Sequence, residues 1–186
     1  MVLIAIFPGQ GSQSPGFLTP WLELDGVRER LAAYSEWSGV DLVAAGTEWD
    51  ADRIRDTAVA QPLIVAAGLL SWNALGDDHV AGVAGHSVGE FTAAAAAGVL
   101  TEEDAMRLVG LRGRAMAAAA ASSPTGMSAV LGGDTVAVLD RLAELGLTAA
   151  NHNGGGQLVA AGSLSALEAL AAEPVRGTRV VALQVA

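Results

Sequence analysis

Cysteine is absent from the 186-residue sequence. That excludes a disulfide framework, a Cys-based zinc site and a thiol nucleophile. Any thioester chemistry must therefore take its sulfur from a substrate or a carrier. Basic residues are scarce: ten Lys plus Arg stand against twenty Asp plus Glu, for a formal net charge of −10. With no basic field to draw in phosphates, nucleic acid and anionic membranes are not expected partners. The N-terminal residues do not read as a secretory leader either. Residues 1–7 are apolar but short, no basic residue precedes them, and Pro8-Gly9 breaks the run. Residues 81–100 are mostly small and apolar, yet His86, Glu90 and several glycines interrupt them, which argues against a transmembrane span. The expected compartment is the cytoplasm. What is present is a globular composition, 52% apolar and 16% charged, with enough chain for one large domain or two small ones.

Residues 2–7 (VLIAIF) form an apolar run of strand length, the pattern of a strand buried on both faces. PGQGSQSPG follows as a loop. Helical spacing puts Val27, Leu31 and Tyr34 on one side of a helix over 27–37, with Gly39 past its end. Residues 63–75 are apolar nearly all round, as in a buried helix, and Pro62 suits its first turn. A second short apolar run covers 80–84. Strand, helix and strand in this order predict a parallel sheet with crossovers. Thr101 followed by Glu102, Glu103 and Asp104 is a hydroxyl cap with acids at the positive end of a helix dipole, and that helix should reach about residue 121.

Ser122-Ser123-Pro124-Thr125-Gly126 is the clearest boundary. Beyond it the sequence predicts a strand (127–131), a helix (134–145), strands at 147–153 and 157–161, a helix (163–172) and a last strand (179–185). The order β-α-β-β-α-β is the ferredoxin-like arrangement. The fold class expected is α/β, in two parts. Residues 1–126 form an incomplete hydrolase-like parallel-sheet subdomain, and residues 127–186 a ferredoxin-like α+β small subdomain.

Gly85-His86-Ser87-Val88-Gly89 matches G-x-S-x-G between an apolar strand and a helix over 90–97. Such a turn is sharp, forces the serine backbone into a strained region, and needs small residues at both ends. Ser87 is then the candidate nucleophile, at a helix N-terminus where free N–H groups favour a developing oxyanion. A glycine-bounded turn with an incidental serine is the plainer alternative. On a helical wheel Ala105, Leu108, Val109, Ala115 and Met116 fall within about 60° of Arg112, while Arg107 and Arg114 fall opposite. An inward guanidinium needs an anion, either a substrate carboxylate gripped bidentately or a structural partner such as Glu90, unless the side chain snorkels to solvent. Residues 8–13 (PGQGSQ) make a Gly-rich loop after a buried strand, without the pattern of a phosphate loop.

FPGQGSQ (7–13), QPL (61–63), GHSVGE (85–90), LRGRAM (111–116) and NHNGGGQLVAAG (151–162) follow one another at the spacing of malonyl-CoA:acyl carrier protein transacylases. The sequence resembles that family over essentially its whole length, and the acyltransferase domains of polyketide synthases are close relatives. The resemblance implies a hydrolase-like α/β subdomain with an inserted ferredoxin-like one. It implies that Ser87 takes malonyl from CoA and passes it to the phosphopantetheine thiol of the carrier, and that Arg112 grips the free malonyl carboxylate. Gln10 and Val88 match the residues whose backbone N–H groups form the oxyanion hole. Gln61, Met116 and Asn153 match positions lining the cleft, and His86 is grouped with these substrate-binding residues. Malonyl-CoA is a substrate, so no cofactor and no metal is implied, and acyl carrier protein is the partner.

The family's general base is a histidine in a segment resembling A-F-H, just beyond the last strand of the small subdomain. The sequence reaches Ala186 before such a segment, inside an apolar strand, and further chain is expected to follow. His86, His79 and His152 are poor substitutes, His86 because neighbouring side chains point apart. Two other readings stand beside malonyl transfer: an esterase-like serine hydrolase, which has no use for an inward arginine if its esters are neutral, and a non-catalytic fragment that binds acyl-CoA or a carrier. Docking of an acidic carrier would call on Arg107, Arg114, Arg176 and Arg179.

Overall fold

The computed structural model describes residues 2–76, 80–122 and 124–183. His79 and the end of the last expected strand, 184–185, lie outside them. Internal contacts divide the chain into two units, Met1–Ala118 and Ala119–Ala186.

In the first unit β1 (Leu3–Phe7) pairs in parallel with β2 (Val80–Gly85). Between them run α1 (Val27–Ser38), α2 (Leu42–Thr47) and α3 (Thr57–Leu75), followed after β2 by α4 (Gly89–Ala96) and α5 (Glu102–Ala121). The parallel pair with helical crossover is the arrangement expected from the sequence. The burial of β1 is not. Val2 and Ile6 are each 75% exposed and Ile4 is half exposed, leaving Phe7 as the buried residue of that strand. Within the described residues β1 has one neighbour, β2, and this short pair leaves most of the apolar run in solvent.

The core lies instead among the helices. Leu18, Leu31, Tyr34, Leu42, Leu63, Leu69, Met106 and Val109 pack into one cluster. The short helix α2, not expected from the sequence, exists because the Asp41 carboxylate accepts the Ala44 N–H at 3.0 Å and Leu42 is fully buried.

Two helices differ from expectation in instructive ways. α3 begins at Thr57, not at Leu63, so Pro62 stands in its second turn. The Asp56 side chain caps it by accepting from Ala58 N at 2.7 Å, and this cap outweighs the proline as a start signal. The extension brings Gln61 inside a buried helix. By length and composition α3 could cross a membrane, but more than half of it is buried within the protein. In α5 the buried face is Ala105, Met106, Val109, Gly110 and Gly113, while Leu108 and Met116 are exposed. The wheel centred on Arg112 is therefore turned by about a quarter. A hydrophobicity count overlooks glycines, yet here they mark the closest approach. A Cβ on Gly110 would lie 2.4 Å from the Ser38 carbonyl oxygen, and one on Gly113 3.0 Å from that of Thr57.

The second unit contains β3 (Thr125–Gly132), α6 (Thr135–Glu144), β4 (Thr148–Gly154), β5 (Gln157–Ser163), α7 (Leu164–Ala172) and β6 (Thr178–Leu183). Its antiparallel sheet has the order β4-β5-β3-β6, the ferredoxin-like arrangement. Asp134 and Ser163 cap the two helices by accepting from Ala137 N and Ala166 N. Val130, Val138, Leu142, Leu158, Ala160 and Leu170 form a separate core.

Tyr34 ties α1 to α5. Its hydroxyl donates to Glu102 Oε2 at 2.5 Å, and Asn73 Nδ2 donates to Glu102 Oε1 at 2.8 Å. Burial, then the Glu102 carboxylate, push the phenol far above its ordinary range. Because the folded pKa is raised, the folded chain keeps a proton that the unfolded chain releases near pH 10. Stability is thus fully present below about pH 10 and is lost as pH climbs toward the folded value. The sequence has one tyrosine and no lysine, so the effect can be read directly. Phenolate absorbance of the folded chain should stay flat through about pH 11 and titrate near pH 10 in denaturant. Titration at the ordinary value in the folded chain would contradict the buried Tyr34–Glu102 contact.

Candidate active site

The elbow joins β2 to α4. Ser87 has φ +53°, and it is the one non-glycine residue with positive φ among those described. A left-handed backbone costs an L-residue about 1 kcal/mol or more, and close packing enforces it here. A Cβ on Gly85 would lie 2.3 Å from the Gly89 backbone, and one on Gly89 would lie 2.4 Å from the Phe7 carbonyl oxygen. Only hydrogen fits at either place. The His86 N–H donates to Phe7 O at 3.0 Å, and Gly89 N–H closes the turn on His86 O at 3.0 Å. Val88 is buried at the N-cap of α4, where a peptide N–H has no partner within the helix.

Arg112 reaches this turn from α5. Its Nη2 donates to Ser87 Oγ at 3.2 Å, and its Nη1 donates to Gln61 Oε1 at 2.6 Å. The amide of Gln61 also donates to Met116 Sδ at 3.2 Å. Gln61 is 1% exposed, so its amide is held by the protein and not by water. No carboxylate of the described residues pairs with Arg112. Glu90, the structural partner considered from the sequence, does not take that place. The guanidinium is oriented by a neutral acceptor and keeps its charge.

The structure brings Ser87, Arg112, Gln61 and Met116 into one hydrogen-bonded chain. Gln10 lies in the loop after β1, its Nε2 donating to Thr57 Oγ1 at 3.2 Å. Gly9 of that loop packs on His86: a Cβ there would meet the imidazole Nδ1 at 2.5 Å. The imidazole therefore faces the loop, and among the described residues Ser87 Oγ has Arg112 and no histidine as hydrogen-bond partner. Asn153 belongs to the second unit, on β4, where its Nδ2 donates to Gln157 Oε1 at 3.3 Å. The sequence reasoning missed Gln13 and Thr57, which fasten the Gln10 loop. The loop motif held the signal, since two glutamines within four residues supply donors that a plain turn does not need. Of the arginines considered for docking, Arg107 pairs with Glu103 within α5, and Arg114 donates to Ser38 O at 2.7 Å.

Residues 5–186 match the family described as acyl transferase domain. A malonyl CoA-acyl carrier protein transacylase of Mycobacterium bovis is 52% identical over 192 residues, covering 100% of this chain and 63% of the relative. The crystal structure of MCAT from Mycobacterium tuberculosis superposes with a TM-score of 0.93 at 51% identity, again over 100% of this chain and 63% of that one. A malonyl-transacylase in complex with a type II PKS acyl-carrier protein matches with a TM-score of 0.86 at 30% identity, with the same coverage of 100% and 63%. The chain spans just under two thirds of the length of these relatives.

The strain at Ser87 can be isolated by comparing two substitutions that both remove the hydroxyl. Ser87→Gly should be more stable than Ser87→Ala by about 1 kcal/mol in urea denaturation, because only alanine keeps the left-handed penalty. Gly89→Ala should destabilise by about 2 kcal/mol or more, since its methyl meets backbone that cannot move aside. Equal stability of Ser87→Gly and Ser87→Ala would contradict the strained elbow.

Proposed function

Since the chain belongs to the acyl transferase domain family, we propose that it carries out malonyl transfer from CoA to the phosphopantetheine thiol of an acyl carrier protein. The observation that supports this most directly is the charged Arg112 guanidinium 3.2 Å from the nucleophile. A cation so close to Ser87 Oγ, with a neutral acceptor fixing its orientation, suits an acyl group that ends in a free carboxylate. The malonyl carboxylate takes the guanidinium, which frees the Ser87 lone pair now accepting from Nη2. The thioester carbonyl then lies over Ser87.

In the first half-reaction Ser87 Oγ adds to the carbonyl carbon, the C–S bond breaks, and the serine proton ends on the departing CoA thiol. In the second, the carrier thiol adds to the seryl ester, the C–O bond breaks, and the proton returns to Ser87 Oγ. The backbone N–H groups of Gln10 and Val88 stabilise the tetrahedral oxyanion in both. A serine needs a proton acceptor for either step at neutral pH. No described side chain offers one, so fast turnover depends on a base outside the described residues. The carrier protein as partner rests on the complex of the similar malonyl-transacylase with its acyl-carrier protein. Malonyl lining by Met116 and His86, and a cytoplasmic setting, belong to the same proposal.

Incubation with malonyl-CoA followed by intact-mass analysis should show one malonyl adduct, absent in Ser87→Ala. Arg112→Ala should slow malonyl loading by about 100-fold, in line with loss of a charged hydrogen-bonded contact, and should narrow or reverse the preference for malonyl- over acetyl-CoA. An unchanged preference would remove Arg112 from its role. An adduct retained in Ser87→Ala would remove Ser87.

A further inference from the structure

The loop after β1 is held from two sides. On one side it packs against the elbow, through the Gly9–His86 contact and the His86 N–H bond to Phe7 O. On the other it is fastened to the segment that leads into α3. Gln13 makes this second attachment with both ends of its amide. Its Oε1 accepts from Gly11 N at 2.9 Å, and its Nε2 donates to the Ile54 carbonyl oxygen at 3.1 Å. Ile54 is 2% exposed, so the acceptor belongs to a fixed part of the core. The Gln10 side chain turns to the same segment, donating to Thr57 Oγ1 at 3.2 Å. With its side chain committed there, Gln10 has its backbone N–H left to offer.

We infer that Gln13 is a positioning residue for the oxyanion hole: its amide bridge from Gly11 N–H to Ile54 O fixes the peptide of Gln10 relative to Ser87. The inference rests on the acyl-transfer reading above. A preorganised donor works because it needs no reorientation during the reaction, and a loop with positive-φ Gly11 (φ +103°) beside Gln10 would not hold such a donor unaided. The same segment continues into α3, whose Gln61 orients Arg112. Residues 54–61 thus fasten the proposed oxyanion donor through Gln13 and the proposed carboxylate grip through Gln61. The two attachments are separate, so cutting the first should leave the second in place.

The test is single-turnover loading of the chain with malonyl-CoA, read by intact mass as a function of malonyl-CoA concentration. Gln13→Ala should lower the limiting loading rate by about 10- to 100-fold, somewhat less than deletion of an oxyanion donor. The concentration for half-maximal rate should change by less than about threefold, because Arg112 and Gln61 still grip the carboxylate. Gln13→Glu keeps the acceptor for Gly11 N–H but loses the donor to Ile54 O, so its loading should also be slow near neutral pH. On lowering pH toward about 4.3, the introduced carboxylate takes up a proton and regains a donor, and the rate of Gln13→Glu relative to the unaltered chain should recover. If Gln13→Ala does not fold, Gln13→Glu and its pH profile decide alone. Equal limiting rates in the variants and the unaltered chain would overturn the inference while leaving malonyl transfer intact. So would a loss confined to half-saturation, or a deficit in Gln13→Glu that ignores pH. No adduct on the unaltered chain would sink the acyl-transfer reading and this inference with it.

Discussion

The close approach of Phe7, Gly85 and Gly89 is the constraint on which the site depends. With the Phe7 carbonyl 2.4 Å from where a Gly89 Cβ would stand, and the Gly89 backbone 2.3 Å from a Gly85 Cβ, the chain must reverse within two residues. Ser87 absorbs that reversal at φ +53°. Pairing of β1 with β2 supplies the crowding, because it sets the end of one strand against the turn that leaves the other. The loop after β1 is consequently delivered beside the elbow that carries Ser87. Strain in the serine and proximity of the loop follow from one packing arrangement.

A second arrangement of small residues places the cation. Gly110 and Gly113 let α5 approach the Ser38 and Thr57 backbones, which turns the helix so that Arg112 lies at the margin of its buried face. From that margin the guanidinium is anchored by the buried Gln61 and still reaches Ser87. A rotation that placed Arg112 at the centre of the face would bury the charge with no anion and cost several kcal/mol. One toward solvent would surrender the contact with Gln61.

Much of this was legible in the sequence, and the exceptions have physical causes. The elbow could be read because its requirements are local: glycines, a serine, a strand and a helix. The second unit could be read because its helices carry Asp134 and Ser163 caps and its strands are short and well separated. The orientation of α5 was misread because a wheel weighs Leu108 and Met116, whereas contact is made where side chains are missing. The start of α3 was misread because Pro62 masked the Asp56 cap six residues earlier. Burial of β1 was misread because an apolar run reports the environment it suits, while the described residues give it one neighbouring strand. The bonds of Gln10, Gln13 and Gln61 were out of reach, since they join positions more than forty residues apart.

On the malonyl-transfer proposal, the identity of the atom that holds Arg112 bears most directly on selectivity. Had a carboxylate occupied the place of Gln61 Oε1, the guanidinium would be neutralised, and a substrate carboxylate could bind only by displacing a strong ionic partner or by adding a second negative charge beside it. The Gln61 amide accepts one N–H bond and fixes direction without cancelling charge. It is itself steadied by Met116 Sδ, a soft acceptor that makes little demand on the cation. The positive charge therefore remains available on the side facing Ser87, where the only competing acceptor among the described residues is the neutral hydroxyl. On the malonyl-transfer proposal, a substrate carboxylate replaces the bond from Arg112 to a neutral hydroxyl with an ion pair to the same guanidinium, whereas an uncharged acyl chain must displace the Arg112–Ser87 bond without that compensation. On the same proposal, the contact that occupies Ser87 Oγ in the free chain favours the acyl group able to release it.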